Sequence, residues 1–481
     1  MDYIPITLFI TNILFVTSLG WYLITNLQWY DYKIQRVILN HHKQWWHIVY
    51  FVIPFISYYV LGEYFVAFFF IAVFPSLMMW HKSLDKKLVL TWRVKRFLIL
   101  LISSNILIDI LCALKELCDI YSVLIPLVIA YIGSTLVEKF LFAAYKKEAR
   151  KKLKSIPNLQ IVCITGSYGK TSIKNFVSGV LAAKYKVYAT PRSVNTIGGI
   201  VRDVNEALPL DTQVYICEAG AREMDDIRII SEFLEPQTVV VGKVGLAHLE
   251  YFKNLQNIIA TKLQIMKSPR LEKAFIHTSV TNEPHAKVTF FGNSISDLEA
   301  TLDGTSFCLH VNNEESLKLH TNILGSFQSM NLEAAVLVAK HLGLSNEEII
   351  GAVAKLKPVE HRLERIDAGG KIILDDGYNG NIDGMLEGVR LCSLHPGRKV
   401  IITPGLVESS DELNLRLIEA INQVFDIAIV TSSLNSDLFD KNLTVPNKII
   451  LKDKSKLTET LGSETRAGDV ILFANDAPNF I

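Results

Sequence analysis

Residues 4–30 contain no Asp, Glu, Lys or Arg, and this run constrains the chain more than any other feature. An apolar stretch of that length can cross a bilayer as a helix. It is longer than a signal-peptide core and no basic segment precedes it, so it reads as a helix that stays attached. Further apolar runs lie near 46–62, 64–80, 97–114 and 120–137, which makes five proposed spans. Gly62 and Glu63 are almost all that separates the second run from the third, so those two should form a tight hairpin. The mean hydropathy of +0.28 is high for a soluble protein of 481 residues, and the excess sits in the first 145 residues.

Charge orients the runs. Lys33, Arg36 and Lys43 follow the first run. Lys82, Lys86, Lys87, Arg93, Lys95 and Arg96 follow the third, and Lys146, Lys147, Arg150, Lys151, Lys152 and Lys154 follow the fifth. Five spans put all three basic segments on one side and the acidic start on the other. The expectation is a multi-pass protein of the inner (cytoplasmic) membrane, with its N-terminus outside and its remaining domains in the cytoplasm. Asp109 lies inside the fourth run, near its outer end, where it is expected to reach the interface. The six cysteines form no C-x-x-C pair, so neither a zinc site nor a disulfide framework is expected. A formal net charge of +1 gives no case for nucleic acid.

The texture changes near residue 156. Short β-rich runs at 161–164, 186–189, 214–217 and 238–241 alternate with helical patterns. A second series follows at 372–374, 400–403, 427–430, 448–451 and 470–473. Such alternation predicts parallel sheets covered by helices. The stretch 275–322 is more irregular and suggests antiparallel strands. The expected fold is multi-domain: an α-helical transmembrane part over 1–145, a P-loop α/β central domain over 156–358 and a Rossmann-like α/β domain over 359–481, hinged near Pro358.

Thr165-Gly166-Ser167-Tyr168-Gly169-Lys170-Thr171-Ser172 follows the first of these strands and opens a helix. Glycines let such a loop curl its N–H groups around an anion, and the helix N-terminus adds favourable partial charge. Lys170 would neutralise the outer phosphates of ATP, and the Thr171 hydroxyl would sit on Mg²⁺. Position 164 is Ile, so the pattern is the short G-x-x-G-K-T. Ligands of parallel sheets collect at the carboxyl ends of strands. Glu218 ends one neighbouring strand, and His248 follows another after a short turn. Both suit magnesium held jointly with phosphate.

In their order along the chain these motifs resemble the Mur ligases of peptidoglycan synthesis, over about residues 160–475. Thr165–Thr171 is similar to that family's ATP loop. Asn195-Thr196-Ile197-Gly198 resembles its substrate-side loop, and Cys217-Glu218-Ala219-Gly220 its Glu-bearing strand end. Ala247-His248-Leu249-Glu250 resembles its metal-binding His segment, and Lys262 stands where the family carries a lysine carbamylated by CO₂. Asn331 matches a nucleotide-side Asn. Arg362 and the run Asp375–Asn381, with Asp376, Tyr378 and Asn379, match the C-terminal contribution and look most like the branch that adds the D-alanyl-D-alanine dipeptide.

The resemblance implies an ATP-dependent amide ligase. A substrate carboxylate becomes an acyl phosphate, and an amine then displaces the phosphate. Two Mg²⁺ ions are implied, with Thr171, Glu218 and His248 as ligands and carbamylated Lys262 in support. The implied partners are a UDP-linked or lipid-linked peptidoglycan precursor, D-alanyl-D-alanine, membrane lipid and other membrane-bound wall enzymes, with no nucleic acid. The chain departs from the pattern at Phe327-Gln328, Ile382 and Ala474-Asn475-Asp476. Apolar helices also occupy the place of the usual sugar-nucleotide domain. A Mur-like amide ligase for poly-γ-glutamate or a lipid-linked acceptor is the second reading, and a membrane ATP-dependent switch or transporter subunit the third.

Overall fold

A computed structural model describes residues 3–39, 41–84, 86–115, 121–192, 194–245, 252–281, 283–311, 315–378, 381–407, 409–431 and 434–475. The chain divides into two compact units, Met1–Lys147 and Glu148–Ile481.

The first unit is helical. Its long helices are α1 (Tyr3–Trp29), α2 (Trp92–Lys115) and α3 (Tyr121–Ser155), the last continuing past the unit boundary. Between α1 and α2, the helical residues Trp45–Lys82 fold back on themselves. The reversal is at Gly62, whose φ of +52° lies where a side chain would be strained. The arms meet along aromatic contacts: the rings of Tyr58 and Phe65 lie 5.1 Å apart, and those of Trp46 and Trp80 lie 5.9 Å apart. This is the hairpin expected from the sequence. Gly20 lets α1 approach α2 closely, since a Cβ there would meet Leu101 at 2.1 Å. Among the described residues, three stretches are long and apolar enough to cross a membrane: Ile6–Trp29, Trp45–Lys82 and Ser122–Ser155. Two expectations need correction. Asp109 is buried, with one carboxylate oxygen lacking a hydrogen-bond partner, and does not reach out to an interface. Cys112 is disulfide-bonded, whereas Cys163, Cys217, Cys308 and Cys392 are free.

The second unit contains two six-stranded sheets. The first has the order β2-β3-β1-β4-β5-β6. Its strands are β1 (Gln160–Thr165), β2 (Val187–Ala189), β3 (Val214–Glu218), β4 (Thr238–Val241), β5 (Lys273–His277) and β6 (Val288–Phe291), all parallel. The cores of β1, β3 and β4 are continuous buried apolar runs, as strands covered by helices on both faces require. From β3 the chain crosses back over β1 to reach β4. The order therefore reverses beside β1, and a crevice opens at its carboxyl end. Helix α4 (Lys170–Leu181) leaves that point and buries Ile173, Phe176, Val177 and Val180 in the main core.

The irregular stretch resolves into two parts. β5 and β6 extend the parallel sheet, while β7 (Ile295–Thr301), β8 (Gly304–His310) and β9 (Ser316–Thr321) form a separate antiparallel sheet. The other six-stranded sheet has the order β10-β11-β15-β12-β13-β14 and is parallel except for the β10–β11 pair. Its edge hairpin joins β10 (Glu364–Ala368) to β11 (Lys371–Asp376).

Phe176 is 1% exposed and lies at the centre of the first core. Phe176→Ala should cost about 3–5 kcal/mol and lower the melting midpoint of the full-length protein by roughly 5 °C or more. Intrinsic fluorescence during a thermal ramp measures this, and a shift under about 2 °C would contradict the packing.

Candidate active site at the phosphate loop

The loop between β1 and α4 is shaped by two glycines. Gly166 has φ +152° and Gly169 has φ +77°, conformations that L-residues rarely adopt. A Cβ on Gly169 would also come within 2.5 Å of the Asn331 side chain, so Asn331 rests directly on the loop. Asn331 lies on α5 (Gln328–His341). Lys170 Nζ donates to the carbonyls of Gly166 (2.9 Å) and Ser167 (3.1 Å). Thr165 and Ser172 are buried, and the Thr165 hydroxyl donates to the carbonyl of Ala219 at 2.9 Å.

Glu218 closes β3 and is 4% exposed. One oxygen accepts from the Thr171 hydroxyl at 3.0 Å and the other from Asn195 Nδ2 at 3.3 Å. Lys174 stands 3.9 Å away and donates to the carbonyl of Thr190 at 2.7 Å. Burying a carboxylate is costly unless it is hydrogen-bonded and countered by charge, and here it is both. Sequence reading missed Lys174. It lies one helical turn after Lys170, so i, i+4 spacing places both lysines on the same face of α4.

Lys262 is on α6 (Leu255–Leu263) and is 5% exposed. Burial, followed by the nearby charge of Lys170, lowers its ammonium pKa to about 7. Lys262 is therefore close to Lys170 and Glu218, although it lies outside the lining of the cleft. Lys170 is also pushed down, by burial and then by Arg362, with Glu218 opposing.

The second sheet contributes the opposite wall. His361 and Leu363 have φ of +57° and +55°, a strained turn that costs about 1 kcal/mol or more per residue and presents Arg362 between them. Arg362 donates to the carbonyl of Tyr378. Asp376 accepts from the Leu363 amide at 3.0 Å, and His361 donates to Asp375 at 2.6 Å. Tyr378 is 53% exposed.

A cleft of about 1530 Å³ joins these walls and is lined by residues of the phosphate loop together with Asn195, Glu218, Asn331, Arg362, Asp376 and Tyr378. The structure thus brings together most of the residues singled out from sequence. Thr196, Ile197 and Gly198 do not line it; Thr196 instead caps the following helix, accepting from the Gly199 amide at 3.4 Å. His248 and Asn379 fall outside the described residues. Among the described residues no group of three or more His, Cys, Asp and Glu converges to hold a metal. What does fit magnesium is the Thr171 hydroxyl beside the Glu218 carboxylate. These are hard oxygen donors next to a phosphate loop, matching an ion that is usually shared with substrate phosphates.

The sequence profile of the Mur ligase middle domain matches residues 164–339, the segment that carries the loop, Glu218, Lys262 and Asn331. Over that segment the chain is similar to the middle domain of the Mur ligases. It is 25% identical over 269 residues to the UDP-N-acetylmuramoyl-tripeptide–D-alanyl-D-alanine ligase of Bacillus subtilis, covering 52% of this chain and 57% of that one. To the enzyme of the same name from Buchnera aphidicola it is 24% identical over 332 residues, covering 64% and 71%. The chain therefore spans between about half and 72% of the length of such relatives. The crystal structure of MurF ligase from Thermotoga maritima in complex with ADP superposes with TM-score 0.59 at 25% identity, covering 69% of this chain and 80% of that chain.

Gly169→Ala forces a Cβ into Asn331 at a left-handed position, whereas a Cβ at Gly198 meets nothing within 4 Å. Gly169→Ala should weaken binding of a fluorescent ATP analogue by roughly a hundredfold, the cost of about 3 kcal/mol of strain, while Gly198→Ala changes it less than about threefold. Equal effects would mean that the loop geometry does not govern nucleotide binding.

Proposed function

We propose that this protein is a Mur ligase that joins D-alanyl-D-alanine to UDP-N-acetylmuramoyl-tripeptide at the expense of ATP, through an acyl phosphate. The observation that carries the reading is the convergence, in one cleft, of the Lys170 loop, the Thr171–Glu218 pair and the Arg362–Tyr378 wall. Phosphoryl transfer to a carboxylate needs positioning and charge neutralisation more than acid–base chemistry. Lys170, freed from the Gly166 and Ser167 carbonyls, would hold the outer phosphates. Arg362 lies near enough to add positive charge where the transferred group departs. Asn331, Asp376 and Tyr378 would grip the nucleotide from opposite walls, and Asn195 would face the acceptor. Magnesium bound at Thr171 and Glu218 would supply further charge neutralisation.

Lys262 fits carbamylation. CO₂ adds only to a neutral amine, and a pKa near 7 leaves about half of the side chains neutral at pH 7. Conversion of an ammonium to a carbamate would replace its repulsion from Lys170 with attraction. The carbamate would also bring an anionic oxygen to the side of Glu218. Activity should fall in CO₂-depleted buffer and return with bicarbonate. The dependence should be steepest as pH falls through about 7, where the amine becomes protonated. Lys262→Arg should be inactive and insensitive to bicarbonate; unchanged activity of that variant would remove the carbamate from the mechanism.

We also infer that the first unit spans the cytoplasmic membrane five times, with the N-terminus outside and the ligase unit in the cytoplasm. Outward-facing apolar side chains such as Val60, Ile71 and Phe140, each at least 75% exposed, are unfavourable in water and suited to lipid. Disulfides persist in oxidising compartments, and that of Cys112 falls near the proposed outer end of α2. Reporter fusions after residues 63 and 117 should read outside, and a fusion after residue 84 inside. Any reversal overturns the count. These helices also favour the second reading, a lipid-linked acceptor held at the membrane beside other wall enzymes.

The deciding experiment supplies ATP and the UDP-linked tripeptide with either D-alanyl-D-alanine or glutamate. Amide product and ADP should appear with the dipeptide and vanish, by roughly a thousandfold or more, in Lys170→Ala. Product from the variant at the wild-type rate would end the reading.

A further inference from the structure

We propose that Arg192 binds the carboxylate of the acceptor, forming with Arg362 a two-guanidinium clamp across the cleft; this rests on the ligase reading above. Glu218 divides the floor of the cleft. Its oxygens point two ways, one to Thr171 on the phosphate loop and one to Asn195. The segment that carries Asn195 therefore lies across Glu218 from the phosphates. Arg192 belongs to that segment and lines the same cleft. The group that receives a phosphoryl must sit beyond the terminal phosphate and in line with it, which is the side of the cleft that Arg192 addresses.

Charge supports the same order. The field of Arg362 reaches Lys170, and the field of Arg192 reaches Arg362. Lys170, Arg362 and Arg192 thus form a linked series of cations around the cleft. Like charges so close repel unless anions complete the series. Phosphates would complete it at Lys170, and a carboxylate at Arg192.

The side chain is oriented yet exchangeable. Its guanidinium stacks over the Tyr378 ring, 4.3 Å from the centroid, which aims the planar fork. Its ion pair with Glu360 is long, at 3.4 Å, and both side chains are well exposed. Such a pair contributes little, so a substrate carboxylate can displace Glu360 and be held bidentately.

The test uses full-length protein in detergent with a non-hydrolysable ATP analogue, and two ligands: UDP-N-acetylmuramoyl-tripeptide with its terminal carboxylate free, and the same molecule as the carboxamide. Calorimetry should show wild type preferring the acid by about tenfold or more. Arg192→Ala should erase that preference, Arg192→Lys should retain part of it, and affinity for the ATP analogue should change less than about threefold. A purely structural role would weaken acid and amide alike. Equal affinity of wild type for the two ligands, or the same acid preference in Arg192→Ala as in wild type, overturns the proposal. A wild-type chain that prefers the acid but makes no amide product with ATP and dipeptide would instead refute the ligase reading.

Discussion

The buried Glu218 carboxylate is the constraint around which the cleft is arranged. A charge so enclosed persists only when partners surround it, and here they come from two separate elements. Thr171 comes from the helix after the phosphate loop, Asn195 from the segment after β2, and Lys174 from one turn further along the helix. The requirement to satisfy one anion thus fixes the relative positions of the phosphate loop and the segment after β2. It also explains why the strand order reverses beside β1. Only there can the ends of β1 and β3 and the start of a helix meet around a single group.

Much of this was legible in sequence because parallel strands announce themselves. Thr238–Val241 and Ile427–Val430 coincide with their expected runs, and most other strands differ by one or two residues at an end. The phosphate loop was legible for the same reason: glycine spacing and a preceding apolar strand act locally. Lys262 was reached only through resemblance to a family, since a lysine on a short helix carries no local sign that burial will lower its pKa.

What escaped the reading depends on distant contacts. Arg192 gains meaning only when Tyr378, far along the chain, comes to lie beneath its guanidinium. The parallel pairing of β5 with β6 has no periodicity of its own to mark it, so that region looked merely irregular. Asp109 seemed free to reach the end of its helix, yet neighbouring helices enclose it, and enclosure is a property of packing that no single segment encodes.

The posture of Lys170 has a consequence for selectivity. Its ammonium already holds two neutral carbonyl oxygens of its own loop, so an arriving anion must compete for it. A weak or singly charged anion offers scarcely more than the two hydrogen bonds it displaces, whereas a polyphosphate offers several charged oxygens at once. A loop held in this way would discriminate by exchange: an anion of low charge would have little power to dislodge the lysine, and a nucleotide's phosphate chain would have more.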